Sequence, residues 1–209
     1  MMHTRPSATE LEELVVDHER WADSLGGLGR QLILEDTDLA GVDLAGRDLA
    51  GAYLGSCRLV GARLDGVRLP DARLVGVDLS EASLVGAVLT KADISRARLV
   101  RARLGDANLI RTDLTEADLR QANLVGATLV KALLLDTDLR GADLTGALLE
   151  RTRMSGVRLG GACLSGSRGV EQVVVLGQLD TGLDDALEWR SDADALDWLV
   201  RQAQRPGPD

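Results

Sequence analysis

The chain has 209 residues, a formal net charge of −9, 45% hydrophobic residues and only 2% aromatic residues. Large aromatic side chains supply much of the buried area of an ordinary core, so this composition argues against a conventional globular domain, while the apolar fraction argues against a disordered chain. Two cysteines, Cys57 and Cys163, are too few for a disulfide framework or a four-thiolate zinc site.

Residues 1–33 are predicted to form a helical cap. Ser7 and Glu10 have the spacing of a capping box, and Gly26-Gly27 is expected to stop the helix. Between them, these residues recur at helical spacing: Leu11, Leu14, Val15, His18, Ala22 and Leu25. The segment has neither the basic start nor the apolar run of a signal peptide, and no run of about 18 apolar residues occurs in the chain. We therefore expect a cytoplasmic protein with no membrane span.

Residues 34–168 carry a repeat of period five. Counted from Leu34 in steps of five, the register continues without a break for 27 positions, of which 25 are Leu, one is Ile94 and one is Met154. Two residues before each of these comes a second series of small residues, which only Arg47 breaks. Five fits neither the 3.6-residue period of a helix nor the two-residue period of a strand. Burial of every fifth residue therefore requires a chain that changes direction within every five and winds into stacked coils, with Gly favoured at the corners.

The segments ADLRQANLVGA (117–127) and TDLRGADLTGA (137–147) carry the motif A(D/N)LxX. On this motif the chain resembles the pentapeptide-repeat family. The resemblance implies an all-β solenoid, a right-handed quadrilateral parallel β-helix with four pentapeptides per coil. Residues 34–168 would then form about 6.75 coils and a rod about 32 Å long, at ~4.8 Å per coil. Exposed ladder ends favour aggregation, so short helical caps are expected at both ends.

Residues 169–209 are predicted to be a C-terminal cap or a dimerisation segment of the kind that some family members build. Residues 173–176 have the pattern of a short strand, and residues 180–204 are predicted to be helical, in two pieces. Ser191 is expected to cap the second piece, together with Asp194. The candidate residues for the cap or dimer contact are Trp189, Leu196, Trp198, Leu199 and Val200.

No constellation of residues in the sequence indicates catalysis. Of the two histidines, His3 lies at the terminus and His18 on the apolar side of the first helix, where packing is expected. Cys57 falls on an inward position and Cys163 on an outward one. The Asp and Asn residues before Leu are expected to bond nearby backbone N–H groups rather than a metal. We therefore predict a protein that is not an enzyme and that has no cofactor and no metal site.

The charge is distributed unevenly between the three segments. Residues 1–33 carry 6 acidic and 3 basic residues, residues 169–209 carry 9 and 3, and residues 34–168 carry 18 of each. The negative total disfavours direct binding of nucleic acid. If each coil has four sides, one side of the rod carries six acidic residues and three arginines, Arg73, Arg96 and Arg153, and so has a net charge of −3. Its acids, the candidate partner-binding residues, are Glu35, Asp36, Asp93, Asp113, Glu116 and Asp136.

Two functional hypotheses follow. Acidic members of the family are DNA mimics that modulate or protect DNA gyrase and topoisomerase IV, and the chain resembles the loopless dimeric members and the antibiotic self-immunity members. The resemblance thus implies a topoisomerase as the protein partner and a homodimer through the C-terminal segment. The neutral rod favours the alternative, a rigid scaffold whose partner has no link to topoisomerases.

Overall fold

Four-sided coils stacked in parallel form the body of the molecule. The computed structural model describes residues 4–182 and 188–206. Rungs pair in parallel with a step of 20 residues, as in Asp38 with Arg58 and Arg58 with Asp78, so each coil holds four pentapeptides. The N–H of a ladder Leu donates to the next coil, as from Leu39 to the Arg58 carbonyl at 2.8 Å.

Most rungs are single bridges, and longer elements occur only towards the two ends of the rod. Two sheets are parallel throughout, β1-β2 and β3-β4-β6, and a third has the order β5-β7-β8 with β8 antiparallel to β7. A 3₁₀ turn spans Val170–Gln172. The helices and strands of the described residues are α1 Ala8–Asp23, β1 Ile33–Glu35, β2 Tyr53–Gly55, β3 Leu133–Leu135, β4 Arg153–Ser155, β5 Val157–Arg158, β6 Val174–Val175, β7 Gln178–Asp180, β8 Trp189–Ser191 and α2 Asp192–Ala203.

The core is a set of Leu ladders that runs the length of the rod. From Leu39 to Leu164, every residue of the five-step series is at most 3% exposed, as the periodicity predicts. Four inward positions hold Thr instead of Ala: at the first, Thr37, the hydroxyl donates to the Glu35 carbonyl at 2.9 Å, and the other three share a longer-range contact. Their hydroxyls donate to carbonyls of the preceding coil at 2.7 to 2.9 Å, so the buried oxygens are satisfied: Thr112, Thr137 and Thr152.

The corners of the coils impose a left-handed backbone conformation. Every residue two positions after the Leu series, from Asp36 to Gly166, has a positive φ, and 14 of these residues are not Gly. At Arg111, for example, φ is 58°, and the Leu109 carbonyl accepts the Thr112 N–H at 3.2 Å in a turn that favours Gly at this corner. The sequence predicted the Gly corners but gave no sign that charged residues adopt the same conformation.

Replacing Arg111 by Gly is expected to make the protein more stable than replacing it by Ala, by about 1 kcal/mol. Both variants remove an exposed side chain, but only Gly relieves the strain of the left-handed conformation. Urea unfolding of the two variants measures the difference. Equal stabilities would show that the corner carries no strain.

The N-terminal cap begins as predicted, and two ion pairs of one half-buried arginine tie it to the rod. Ser7 Oγ accepts the Glu10 N–H at 3.2 Å, and Glu10 accepts the Ser7 N–H at 2.8 Å. Arg47, the exception among the small inward residues, lies beneath α1, where its guanidinium binds Glu12 and Glu19 in two bidentate pairs at 2.8 to 3.0 Å. The exception in the repeat is therefore the attachment point of the cap.

The apolar side of α1 is shorter than predicted. Leu11, Val15 and His18 are buried, and the His18 Nδ1 accepts the Leu32 N–H at 2.9 Å. Leu25 lies beyond the end of the helix with φ 53° and is 97% exposed, so its predicted place on the apolar side is wrong. The chain turns there because the helix has already ended at Asp23.

The C-terminal prediction is partly wrong. Residues 174–175 form β6 as expected, but Asp180 belongs to β7 and residues 189–191 form β8 rather than helix. The reason is strand pairing, since β7 extends the last coil and offers β8 an edge. The first predicted helix piece lies partly in 183–187, outside the described residues. The second is α2, and Ser191 precedes it without a side-chain capping bond.

Helix α2 packs on the end of the rod. Leu199 and Ala195 are fully buried in the core cluster, and the last coil donates the Gly166 N–H to the Ala203 carbonyl at 2.8 Å. Ser165 Oγ donates to the Arg205 carbonyl at 2.6 Å. Within residues 4–182 and 188–206, neither helix has the length and apolar character needed to cross a bilayer.

Candidate partner-binding surface

The six candidate acidic residues lie on one side of the rod, in two groups. Asp93 and Asp113 are direct partners in an outward ladder. Glu116 and Asp136 occupy the adjoining corner. They are 20 residues apart, which is one coil, so they form a column of equivalent corner positions in consecutive coils. Glu35 and Asp36 lie near the N-terminal end, with Asp36 four coils or about 19 Å from Glu116. The coil register therefore gathers four of the six residues and leaves two apart.

The carboxylates of the outward ladder are partly used by the backbone. Asp93 Oδ1 accepts the Ser95 N–H at 3.1 Å and the Ser95 hydroxyl at 2.7 Å, and Asp113 Oδ1 accepts the Thr115 N–H at 2.9 Å. The predicted backbone role of Asp before Leu is thus confirmed at these positions. Both residues are half-buried, so the backbone role does not remove either from the surface of the rod.

The two corner carboxylates differ in their surroundings. Glu116 pairs with Arg96 one coil earlier, at 3.1 Å. Asp136 is exposed, and no cation of the described chain lies within ion-pair distance of it. Gly156 follows it in the column, and a Cβ on Gly156 would overlap the Asp136 carboxylate. At this corner, towards the C-terminal end, the charge of Glu116 is therefore paired and that of Asp136 is not.

A cleft of about 450 Å³ opens beside this corner. Its lining includes Glu116, Asp136, Gly156 and Arg158. Trp189 of β8 also lines it, and this residue is 42% exposed. The sequence placed Trp189 with the residues of the cap helix. Its true position on a strand edge depends on the pairing of β8 with β7, for which the sequence offers no periodicity.

Ion pairs between coils explain the neutral rod. Arg58 pairs with Asp38 at 3.2 Å, and on the next two sides along the chain Arg63–Asp43 and Arg68–Asp48 repeat the arrangement at 2.5 and 3.0 Å. The hydrogen bond from Arg63 holds the pKa of Asp43 below its ordinary value. Such exposed pairs add little stability individually. They do cancel charge on the sides away from the candidate acids.

The candidate C-terminal residues divide between core and surface. Leu199 is buried and belongs to the cap, while Leu196, Trp198 and Val200 are half-buried. A hollow of about 340 Å³ next to them is lined by apolar residues, Val173 to Val175, Ala193 and Leu196. With Val174 41% and Leu176 47% exposed, this end presents apolar surface outside the core.

The titratable groups that catalysis or metal binding would need are dispersed. Cys57 is fully buried, which raises the pKa of its thiol, and burial lowers the pKa of His18. Cys163 is half-buried beside the Thr145 hydroxyl at 3.3 Å. Across residues 4–182 and 188–206, no three His, Cys, Asp or Glu side chains converge on a point that would suit a metal ion.

The unbroken four-sided coil and its capped ends define a class of protein, the right-handed quadrilateral parallel β-helix with short helices at both ends, which is the predicted fold class. The chain belongs to the pentapeptide-repeat family. The family's sequence profile, "Pentapeptide repeats (8 copies)", matches residues 33–71, 71–106, 97–134 and 132–168. Members of this family act in protein–protein interactions.

Solved structures of other pentapeptide-repeat proteins resemble the chain, whereas no curated protein matches it in sequence. HetL from Nostoc sp. strain PCC 7120, involved in heterocyst differentiation regulation, is 30% identical, with 84% of this chain and 78% of HetL covered and a TM-score of 0.39. QnrB1, a plasmid-mediated fluoroquinolone resistance protein, is 14% identical, with coverage of 80% and 100% and a TM-score of 0.49. Rfr23 from Cyanothece 51142 is 22% identical, with coverage of 70% and 91% and a TM-score of 0.28.

Proposed function

We propose that the protein binds the DNA-binding surface of a type II topoisomerase, DNA gyrase or topoisomerase IV, and so modulates or protects the enzyme. The observation that carries the proposal is the side of the rod with net charge −3, on which Asp136 and Glu116 stand in consecutive coils. A surface that binds duplex DNA is basic, because it neutralises phosphates. A rigid rod with one acidic side competes for such a surface without needing to reorganise.

The expected result with purified gyrase is dose-dependent inhibition of supercoiling, or relief of cleavage trapped by a quinolone. A triple variant, Asp113→Asn, Glu116→Gln and Asp136→Asn, is expected to need about tenfold more protein for the same effect, since each charge at the rim of an interface contributes modestly. Asn and Gln keep the acceptor oxygens, so the coil is preserved.

The matched control neutralises three acids elsewhere on the rod, Asp71→Asn, Glu81→Gln and Asp106→Asn. It removes the same charge from other corners and is expected to act like the unmodified protein. Absence of any effect of the unmodified protein at micromolar concentration would contradict the proposal, as would equal losses in the two triple variants.

A scaffold role unrelated to topoisomerases is the second candidate. It is favoured by the mixed charge of one outward ladder, because mixed signs match a particular protein partner better than they match a DNA-binding surface. The ladder alternates in sign from Asp38 through Arg58, Asp78 and Arg98 to Asp118, and then continues with Asp138 and Arg158. If gyrase is unaffected, this ladder becomes the surface to probe first.

We also propose that two copies associate through the C-terminal end, where Val174 and Leu176 expose apolar surface. Light scattering after size exclusion is expected to give twice the 22.2 kDa of one chain, and Val174→Lys with Leu176→Lys to give the monomer. An unmodified protein that remains monomeric at tens of micromolar would contradict association through this end.

A further inference from the structure

The cleft beside Trp189 lies at the C-terminal end of the acidic side of the rod. Glu116, Asp136 and Gly156 form one corner column in three consecutive coils, and the Asp136 carboxylate lies where a Cβ of Gly156 would be. Trp189 lines the same cleft. Trp189 is held in place by the antiparallel pairing of β8 with β7, in which it lies opposite Asp180.

Most charges around the cleft are already paired. Arg120 is bound to Asp118 at 2.7 Å, and Arg140 to Asp138 at 2.6 Å. Arg158 also lines the cleft; its backbone lies between Asp138 and Asp180 in the ladder, and none of the ion pairs between described residues includes it.

Asp136 is different, because no described cation lies within ion-pair distance of its carboxylate. The cleft thus combines an uncompensated negative charge with an exposed aromatic ring.

We propose that this cleft is the docking site for an arginine side chain of a protein partner, with the guanidinium stacked on Trp189 and paired with Asp136. Indole faces attract cations, and a planar guanidinium both stacks and pairs with a carboxylate, which an ammonium group cannot do. Trp and Arg are also the residues most often found to anchor interfaces. The inference deepens the protein-binding role proposed above by naming an anchor, and its test needs no topoisomerase.

The test uses a tetra-arginine peptide as the probe and the indole N–H resonances of the full chain as the readout. The chain has three Trp residues, and a Trp189→Phe variant assigns the resonance of Trp189. We expect saturable shifts at Trp189, with Trp21 and Trp198 unchanged. Tetra-lysine is expected to bind at least about threefold more weakly, because it loses the stacking.

Asp136→Asn is expected to weaken tetra-arginine binding by about fivefold. Asp106→Asn is the matched control, because Asp106 has the same left-handed corner geometry and is also followed one coil later by a Gly, Gly126. Asn tolerates this conformation, and the unshifted resonances of the other Trp residues report that each variant is folded.

Three results would overturn the inference: no perturbation of Trp189 at millimolar peptide, equal binding by Asp136→Asn and Asp106→Asn, or equal binding of tetra-lysine. The topoisomerase proposal fails separately. If the chain binds tetra-arginine at Trp189 but leaves gyrase unaffected, the docking site is supported and only the proposal of a topoisomerase partner is contradicted.

Discussion

Replacing Leu99 by Ala is expected to lower the free energy of unfolding by about 3–4 kcal/mol. Leu99 is fully buried at mid-rod, with Leu79 and Leu119 in the same ladder one coil before and one coil after. Its coil is hydrogen-bonded on both sides, with the Leu99 N–H donating to the Asp118 carbonyl at 2.7 Å and the Arg98 N–H to the Val77 carbonyl at 2.9 Å. The coils cannot close around the lost side chain, so the full cavity remains.

The measurement is urea unfolding, with Leu148→Ala as the matched control. Leu148 is the same residue type on an outward, half-buried position, and its loss is expected to cost about 1 kcal/mol. Equal destabilisation by the two variants would contradict the assignment of inward and outward sides.

Replacing Arg47 by Ala is expected to loosen the attachment of α1 to the first coil, at a cost of about 1–2 kcal/mol, since solvent screens these partly exposed ion pairs. The substitution leaves Glu12 and Glu19 without the cation that both bind. Glu19 also accepts the Asp48 N–H at 3.3 Å, so the backbone edge of the first coil loses part of its cover.

Trp21 provides the readout for this detachment. Its ring stacks on His18 with centroids 5.4 Å apart and lies over Gly51, so its fluorescence is expected to shift to the red when α1 is released. Arg47→Lys is the control, since it keeps the charge and loses the two bidentate pairs, and an intermediate effect is expected. An Arg47→Ala variant with unchanged fluorescence and stability would contradict the role of this ion pair.

Acid is expected to weaken the same cap in two steps. Burial lowers the pKa of His18 in the folded chain, so its contribution is complete above about pH 6.5 and is lost as the pH falls through the folded value. The hydrogen bond from Arg47 lowers the pKa of Glu19, so its contribution is lost in turn below about pH 4.3. The measurement is the free energy of unfolding as a function of pH. In a His18→Gln variant, the step assigned to His18 is expected to disappear and the step assigned to Glu19 to remain.

The parts of the fold that repeat were predictable from the sequence, and the parts that occur once were not. The period of five determined the inward Leu, the small partners and the direction of the outward rows. Arg47 was a visible signal, because it alone broke the small series opposite a helix rich in Glu, but its partner depended on how α1 crosses the coil. The left-handed charged corners, such as Arg111, had no signature because hydrogen bonds between coils override local preference.

The candidate site was predictable only as far as the coil register extends. Steps of 20 residues correctly placed Glu116 beside Asp136 and Asp93 beside Asp113. Trp189 joins this side through the pairing of β8 with β7, a non-local contact between short segments that leaves no periodic trace. The cleft could therefore be recognised only from the structure and not from the sequence.

Competition with duplex DNA tests the central claim, that the acidic side occupies a surface built for DNA. The measurement is the binding of labelled DNA to gyrase at rising concentrations of the protein, at low and at physiological salt. We expect the protein to displace DNA, and we expect a rise in salt to weaken the binding of the protein to gyrase. A ternary complex of gyrase, DNA and the protein, with DNA affinity unchanged, would contradict it.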